Sequence, residues 1–146
     1  MVDLKHQYLR IKPAVDAALL NVLDTSAFIG GQYVNDFAAN LSKYLGIKHV
    51  IPCANGTDAL QIAMMALDLK SGDEVITQSF TFIATAEVIA LLQLKPVFID
   101  ADRSTFNIDP QAIKKAITSK TKAIVPVHLF GQTASNELPA HSARQT

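Results

Sequence analysis

Between Arg10 and Leu23, apolar residues recur at Ile11, Val15, Ala18, Leu19, Val22 and Leu23, the spacing of one helix face. Gly30 and Gly31 interrupt the pattern. It resumes at Val34, Phe37, Ala38, Leu41 and Leu45, which predicts a second helix over Val34–Leu45 ending at Gly46. Beyond Gly46 the pattern changes. Short apolar runs at His49–Pro52, Glu74–Thr77, Pro96–Asp100 and Lys122–Val127 read as strands. Longer stretches, predicted helical, separate them at Thr57–Leu69, Phe82–Leu94 and Pro110–Thr118. Ser79 and Thr81 offer cap hydroxyls to the helix at Phe82, Asp109 is a good N-cap, and Pro110 suits a first helical position. Pro52 and Pro126 cannot donate to a ladder and are expected at strand ends.

Strand–helix alternation with short links predicts an α/β fold with a mostly parallel sheet flanked by helices. In such sheets ligands bind beyond the carboxyl ends of the strands. The loops there are Cys53–Gly56, Gln78–Thr81, Ala101–Phe106 and His128–Thr133, and near them lie Asn55, Thr57, Gln78, Thr81, Asp102, His128 and Gln132. The stretch Asn55-Gly56-Thr57-Asp58-Ala59-Leu60 is the most informative. A strand that runs through a Gly-Thr turn into a helix start makes an anion site. The first helical N–H groups lack intrahelical acceptors and sit at the positive end of the dipole. Gly56 lets an anion approach the backbone, and the Thr57 hydroxyl can donate one more hydrogen bond. A phosphate is the natural guest, and Phe82, expected just inside its helix, can place a ring over the same crevice.

Composition narrows the classes. The chain of 146 residues is long enough for one domain with a real core. It is 49% hydrophobic and 18% charged, with mean hydropathy +0.22, which fits a sheet covered on both faces or surface meant for another domain or subunit. Thirteen basic residues balance thirteen acidic ones, so no electrostatic footprint for nucleic acid or an anionic membrane exists. No segment reaches membrane-spanning length. Cys53 is the sole cysteine, which excludes an internal disulfide or thiolate metal site and fits a reducing, cytoplasmic setting. His6, His49 and His141 show no metal-ligand spacing.

Six blocks now stand in a characteristic order: Asp3-Leu4-Lys5…Tyr8, Phe28-Ile29-Gly30-Gly31, Asn55-Gly56-Thr57-Asp58-Ala59-Leu60, Gly72-Asp73-Glu74-Val75-Ile76-Thr77, Thr81-Phe82-Ile83-Ala84-Thr85 and Val127-His128-Leu129-Phe130-Gly131-Gln132. Together they resemble the N-terminal part of the DegT/DnrJ/EryC1/StrS family, pyridoxal-phosphate-dependent sugar aminotransferases, from about Asp3 to Ala134. The resemblance implies a type I aminotransferase large domain, cut short here, over 1–134. It implies pyridoxal phosphate as cofactor, a nucleotide-linked keto sugar and an amino donor, commonly glutamate, as reactants, and a homodimer with Phe28–Tyr33 near the partner's cofactor. Gly56 and Thr57 match the family's phosphate turn, and Phe82 matches the aromatic that stacks on the pyridine ring. Asp58, a carboxylate beside a phosphate, is expected to turn back and cap its own helix reciprocally with Asn55.

The family's Schiff-base lysine and the acidic partner of its pyridine nitrogen lie in later motifs that do not occur in this sequence, so no residue of it is assigned as catalytic. Lys114, Lys115, Lys120 and Lys122 read as solvated surface. Residues 135–146 depart from the family pattern and are expected to form a divergent tail without fixed structure, the product of a frameshift, a truncation or a fragmented gene. The chain then reads as an inactive portion of a sugar aminotransferase with an exposed sheet edge. The alternative is a non-catalytic remnant that binds a phosphate or nucleotide, or serves as a dimerisation partner. A different α/β nucleotide binder is disfavoured, since neither Gly-x-Gly-x-x-Gly nor a P-loop is present.

Several residues carry plainer expectations. His128 either lines the site or caps its loop, and Gln132 shares that ambiguity. Asp100 and Asp102 are expected to satisfy turn N–H groups. Met64 and Met65 are expected in the core, and Cys53 as a small buried thiol.

Overall fold

The computed structural model describes residues 2–134, which form two compact units that divide between Pro52 and Cys53. Residues 135–146, the expected tail, lie outside the described residues.

The first unit holds α1 (Leu4–Thr25) and α2 (Gln32–Leu45). Helix α1 begins earlier than its apolar spacing predicts because Asp3 caps it: Asp3 Oδ1 accepts the His6 N–H at 3.0 Å. Pro13 lies inside α1. Gly31 is the N-cap of α2, and Gly46, at φ +66°, closes it in the left-handed conformation that glycine adopts at no steric cost. Neither helix buries a residue, and Leu19, Leu20, Leu23 and Phe37 are exposed. The expected strand His49–Pro52 is absent. A strand is defined by its ladder partner, this run pairs with nothing among the described residues, and Pro52 has no N–H to offer.

The second unit carries the sheet. Its elements are α3 (Gly56–Ala66), β1 (Glu74–Gln78), α4 (Ala84–Leu91), β2 (Lys95–Ile99), α5 (Pro110–Ala116), β3 (Thr121–Val125) and a final 3₁₀ turn, Leu129–Gly131. The strand order is β2-β1-β3, with β1 parallel to both neighbours. Glu74 to Gln78 pair in register with Lys95 to Ile99. Pro96 sits on an outer strand of the three, where a missing N–H is tolerated, and Pro126 follows the last residue of β3, as expected.

Alternation along β1 feeds two cores. Val75 packs with Met64 of α3 and Val88 and Ile89 of α4 on one face, while Ile76 packs with Ile99, Ile108 and Ile113 of α5 on the other. Both faces are therefore covered, which is why all five residues of β1 are buried. Burying one such isoleucine stabilises by about 1.5–3 kcal/mol. Among the polar groups buried with them, Thr77 and Glu74 are paired, whereas Gln78 Oε1 has no partner among the described residues. Thr77 Oγ1 donates to the Val125 carbonyl at 3.0 Å. Glu74 takes the Thr118 hydroxyl at 2.6 Å and the Lys95 ammonium at 3.0 Å, which hold its carboxyl below the usual range, the Thr118 bond contributing most.

Met64 is in the core as expected, but Met65 is 61% exposed, because the next position on α3 turns away from the sheet. Cys53 is also exposed rather than buried; it lies in the loop before α3, with Sγ 3.5 Å from the Asn55 carbonyl.

Candidate functional site

In strand order β2-β1-β3 the chain steps from β1 to one neighbour and then crosses to the other, so direction reverses at β1. The crevice beyond the carboxyl ends of β1 and β3 is the switch point where such sheets bind ligands. A hollow of about 550 Å³ lies there, within the range of small-molecule sites. Helix α3 contributes Gly56, Thr57 and Leu60; the segment after β1 contributes Thr81, Phe82, Ala84 and Thr85; the end of β3 and its continuation contribute Val125 to His128. The structure thus brings Gly56, Thr57 and Phe82 together.

The start of α3 is built for an anion. Asn55 is its N-cap in extended backbone, and its Oδ1 accepts the Asp58 N–H at 3.0 Å. Its carbonyl takes the Ala59 N–H at 3.1 Å. The N–H groups of Gly56 and Thr57, and the Thr57 hydroxyl, have no acceptor or donor partner among the described residues. They are orphan donors at the positive end of a helix. Asp58 does turn back as expected: Asn55 Nδ2 donates to Asp58 Oδ2 at 3.0 Å, which ties the carboxylate to the cap. A Cβ built on Gly56 meets nothing within 4 Å, so its backbone has an open approach. Two amides, a hydroxyl and an open glycine match the donor set a phosphate ester requires, and pyridoxal phosphate fits this site on that ground.

Phe82 is 75% exposed and lies in the loop before α4, not inside a helix. The cap expected from Ser79 and Thr81 is absent, because α4 starts at Ala84 with Ile83 as a cap that makes no side-chain bond. Phe82 therefore stands on the rim of the hollow and not on a helix. Phe82 and Thr81 also border a smaller hollow of about 260 Å³ with Ser79, Phe80, Leu129 and Phe130. Rings of Phe80, Phe106 and Phe130 follow one another at 5.7 and 6.0 Å. Beneath them Gln78 is fully buried, its Nε2 donating to the Phe80 carbonyl at 3.0 Å and the Phe106 carbonyl at 3.3 Å.

His128 answers both expectations. It lines the hollow, and its Nδ1 accepts the Ala134 N–H at 2.9 Å. Asp102 and Gln132 do not join the site; they border a separate hollow with Ser104, Thr105 and Asn107. Asp102 satisfies its turn as expected, taking the Ser104 and Thr105 N–H groups at 2.9 Å and both hydroxyls. These bonds, led by the Ser104 hydroxyl, lower its pKa to about 2. Asn107 ties that hollow's walls together, donating to the Gln132 and Thr133 carbonyls and accepting the Leu129 N–H at 3.1 Å. Lys114, Lys115, Lys120 and Lys122 are exposed. Among the described residues no cluster of metal-ligating side chains occurs, and no helix is long and apolar enough to cross a membrane.

Thr85 and Val127 also line the hollow; the sequence places both in the family-like blocks but assigns neither a role.

A doubly covered parallel sheet with the orphan amides of a helix start at its switch point defines an α/β domain with a crevice of the kind that takes phosphorylated ligands. The sequence model of the DegT/DnrJ/EryC1/StrS aminotransferase family matches residues 10–143, and the chain belongs to that family. It is 52% identical over 133 residues to a UDP-2-acetamido-2-deoxy-3-oxo-D-glucuronate aminotransferase of Pseudomonas aeruginosa, covering 91% of this chain and 37% of that protein. Among solved structures it resembles a DegT/DnrJ/EryC1/StrS aminotransferase from Brucella abortus at TM-score 0.87 and 42% identity, over 92% of this chain and 38% of that one. It also resembles a Bacillus subtilis protein crystallised with bound cofactor PMP, at TM-score 0.76 and 42% identity, over 80% of this chain and 27% of that one. The chain spans less than two-fifths of the length of these relatives. The fold is a three-stranded parallel α/β piece of the pyridoxal-phosphate-dependent aminotransferase fold, as the sequence resemblance implies.

Proposed function

We infer that this chain supplies the phosphate and ring subsites of a pyridoxal-phosphate-dependent sugar aminotransferase, whose whole enzyme moves an amino group from a donor such as glutamate to a nucleotide-linked keto sugar. The observation that carries the reading is the meeting of Gly56, Thr57 and Phe82 around one hollow at the switch point. The relatives' names support a sugar substrate.

When bound, pyridoxal phosphate supplies an electron-poor ring that carries the amino group between donor and acceptor. This chain's residues hold rather than react. The Gly56 and Thr57 amides and the Thr57 hydroxyl donate to the phosphate, anchoring the group at the end remote from its chemistry. The Asn55–Asp58 pair keeps the one nearby carboxylate engaged and off the phosphate. Phe82 lies against the ring and excludes water from its face. No residue of this chain is assigned to proton transfer or covalent attachment. The enzyme is a homodimer in the cytoplasm, a compartment that suits the exposed Cys53.

Titration with pyridoxal phosphate tests the reading. Reversible binding that inorganic phosphate displaces, weakened by Thr57→Val, is the expected result. After borohydride reduction, no lysine of the chain should carry the cofactor. A single lysine trapped in good yield would show that the chain holds its own catalytic amine, and absence of binding would remove the site.

A further inference from the structure

We propose that His128 is a positioning residue of the hollow, presenting Nε2–H as a fixed donor to an acceptor oxygen of the group bound there. The inference rests on the reading of this hollow as the pyridoxal-phosphate site and goes beyond it, assigning the histidine a role.

A backbone amide only donates. The Ala134 N–H, 2.9 Å from Nδ1, therefore requires a lone pair on that nitrogen and places the ring's single proton on Nε2. The amide that imposes this tautomer is itself anchored. Ala134 is 5% exposed and packs in the core with Ile76, Ile99 and Ile113, on the face of the sheet covered by α5. The ring is thus tethered to the core through one nitrogen, while the residue borders the hollow with Gly56, Thr57 and Phe82. Nε2 has no partner among the described residues. Division of labour between the two nitrogens, one fixed and one free to serve a guest, is how second partners orient functional histidines elsewhere. The guest's chemistry is complementary. Pyridoxal phosphate offers phosphate and phenolate oxygens that accept hydrogen bonds, so a donor is what this nitrogen can contribute. Holding the ring in advance removes the rotamer cost of forming that bond.

The test uses the full chain and two variants that separate the nitrogens. His128→Asn retains an acceptor near Nδ1 and loses the donor at Nε2. His128→Gln places an amide donor near Nε2 and loses the acceptor. The expected result is that His128→Asn melts close to the parent but binds pyridoxal phosphate about fivefold more weakly, while His128→Gln melts lower and keeps the affinity. Affinity retained by Asn and lost by Gln would reduce His128 to a loop cap and overturn the proposal. Side-chain nitrogen NMR of the unliganded chain supplies an independent reading. An Nε2–H tautomer is expected, and an Nδ1–H tautomer would overturn it. On titration, shifts at the Gly56 and Thr57 amides without a shift at His128 Nε2 would refute the histidine's role and leave the cofactor site standing. No shift at any of the three would remove the cofactor reading and this inference with it.

Discussion

Asn55 and Asp58 hold each other across the first turn of α3: the Asn55 amide oxygen takes the Asp58 N–H and the Asn55 amide nitrogen donates to the Asp58 carboxylate, both at 3.0 Å. The pair shows how an acid can sit beside the orphan donors of Gly56 and Thr57 with its carboxylate engaged. Its charge benefits the helix dipole while its oxygen is occupied. Replacing Asn55 with Ala removes the cap and frees the carboxylate. We predict a loss of about 1 kcal/mol in urea unfolding together with weaker phosphate binding. Unchanged affinity in that variant would show that Asp58 does not approach the guest.

The hydroxyl and the glycine of the turn separate binding from folding. Thr57 makes no side-chain bond among the described residues, and a Cβ on Gly56 meets nothing within 4 Å. Thr57→Val should weaken pyridoxal phosphate by about 1.5 kcal/mol, roughly tenfold, the lower range for a bond to a charged acceptor. Gly56→Ala should leave the unfolding midpoint unchanged or slightly raised, since Ala favours a helix. Its methyl should lower phosphate affinity in calorimetric titration. A Gly56→Ala chain that unfolds early would contradict the open approach seen at that residue.

Much of this arrangement was legible in the residues, and the failures share a cause. The strands β1, β2 and β3 announced themselves as apolar runs bounded by Gly or Pro, and the Asp109 cap holds as expected, accepting the Gln111 N–H at 2.8 Å. His49–Pro52 has the same local signature but no ladder partner, and pairing is not written in a local pattern. Met65 and Met64 are alike in type, so only the direction α3 faces distinguishes the exposed from the buried one. Phe82 was legible as an aromatic beside the crevice, though its helix begins two residues later. His128 was left between two roles because its tautomer depends on Ala134, a contact that exists only once the loop after β3 is folded back.

The contrast between core and surface on α3 and α4 has a direct measure. Ile89 is fully buried and Met65 is 61% exposed. Ile89→Ala should cost about 2–5 kcal/mol in denaturant unfolding, and Met65→Ala less than about 0.5 kcal/mol. Should Ile89→Ala prevent folding, Ile89→Val, expected at about 0.5–1.5 kcal/mol, keeps the comparison measurable. Equal costs at the two positions would mean the sheet face is packed differently.

Asp102 gives a pH signature. Its folded pKa, about 2, lies below the ordinary value of 3.8 because Ser104 and Thr105 donate to the carboxylate. A depressed carboxyl stabilises the folded turn fully above its unfolded pKa, and that contribution disappears as pH falls from about 4 through about 2. The Ser104 and Thr105 amide signals should therefore move together in that window in NMR titration. Asp102→Asn should abolish the transition. Movement centred near pH 4 in the parent chain would show that the turn does not hold the charge.

If the start of α3 and Phe82 form one cofactor site, a crystal structure of the chain grown with pyridoxal phosphate should show it. The phosphate is expected within hydrogen-bonding distance of the Gly56 and Thr57 amides and the Thr57 hydroxyl, with the Phe82 ring against the pyridine. A phosphate seated elsewhere, or a pyridine ring that Phe82 does not touch, would contradict it.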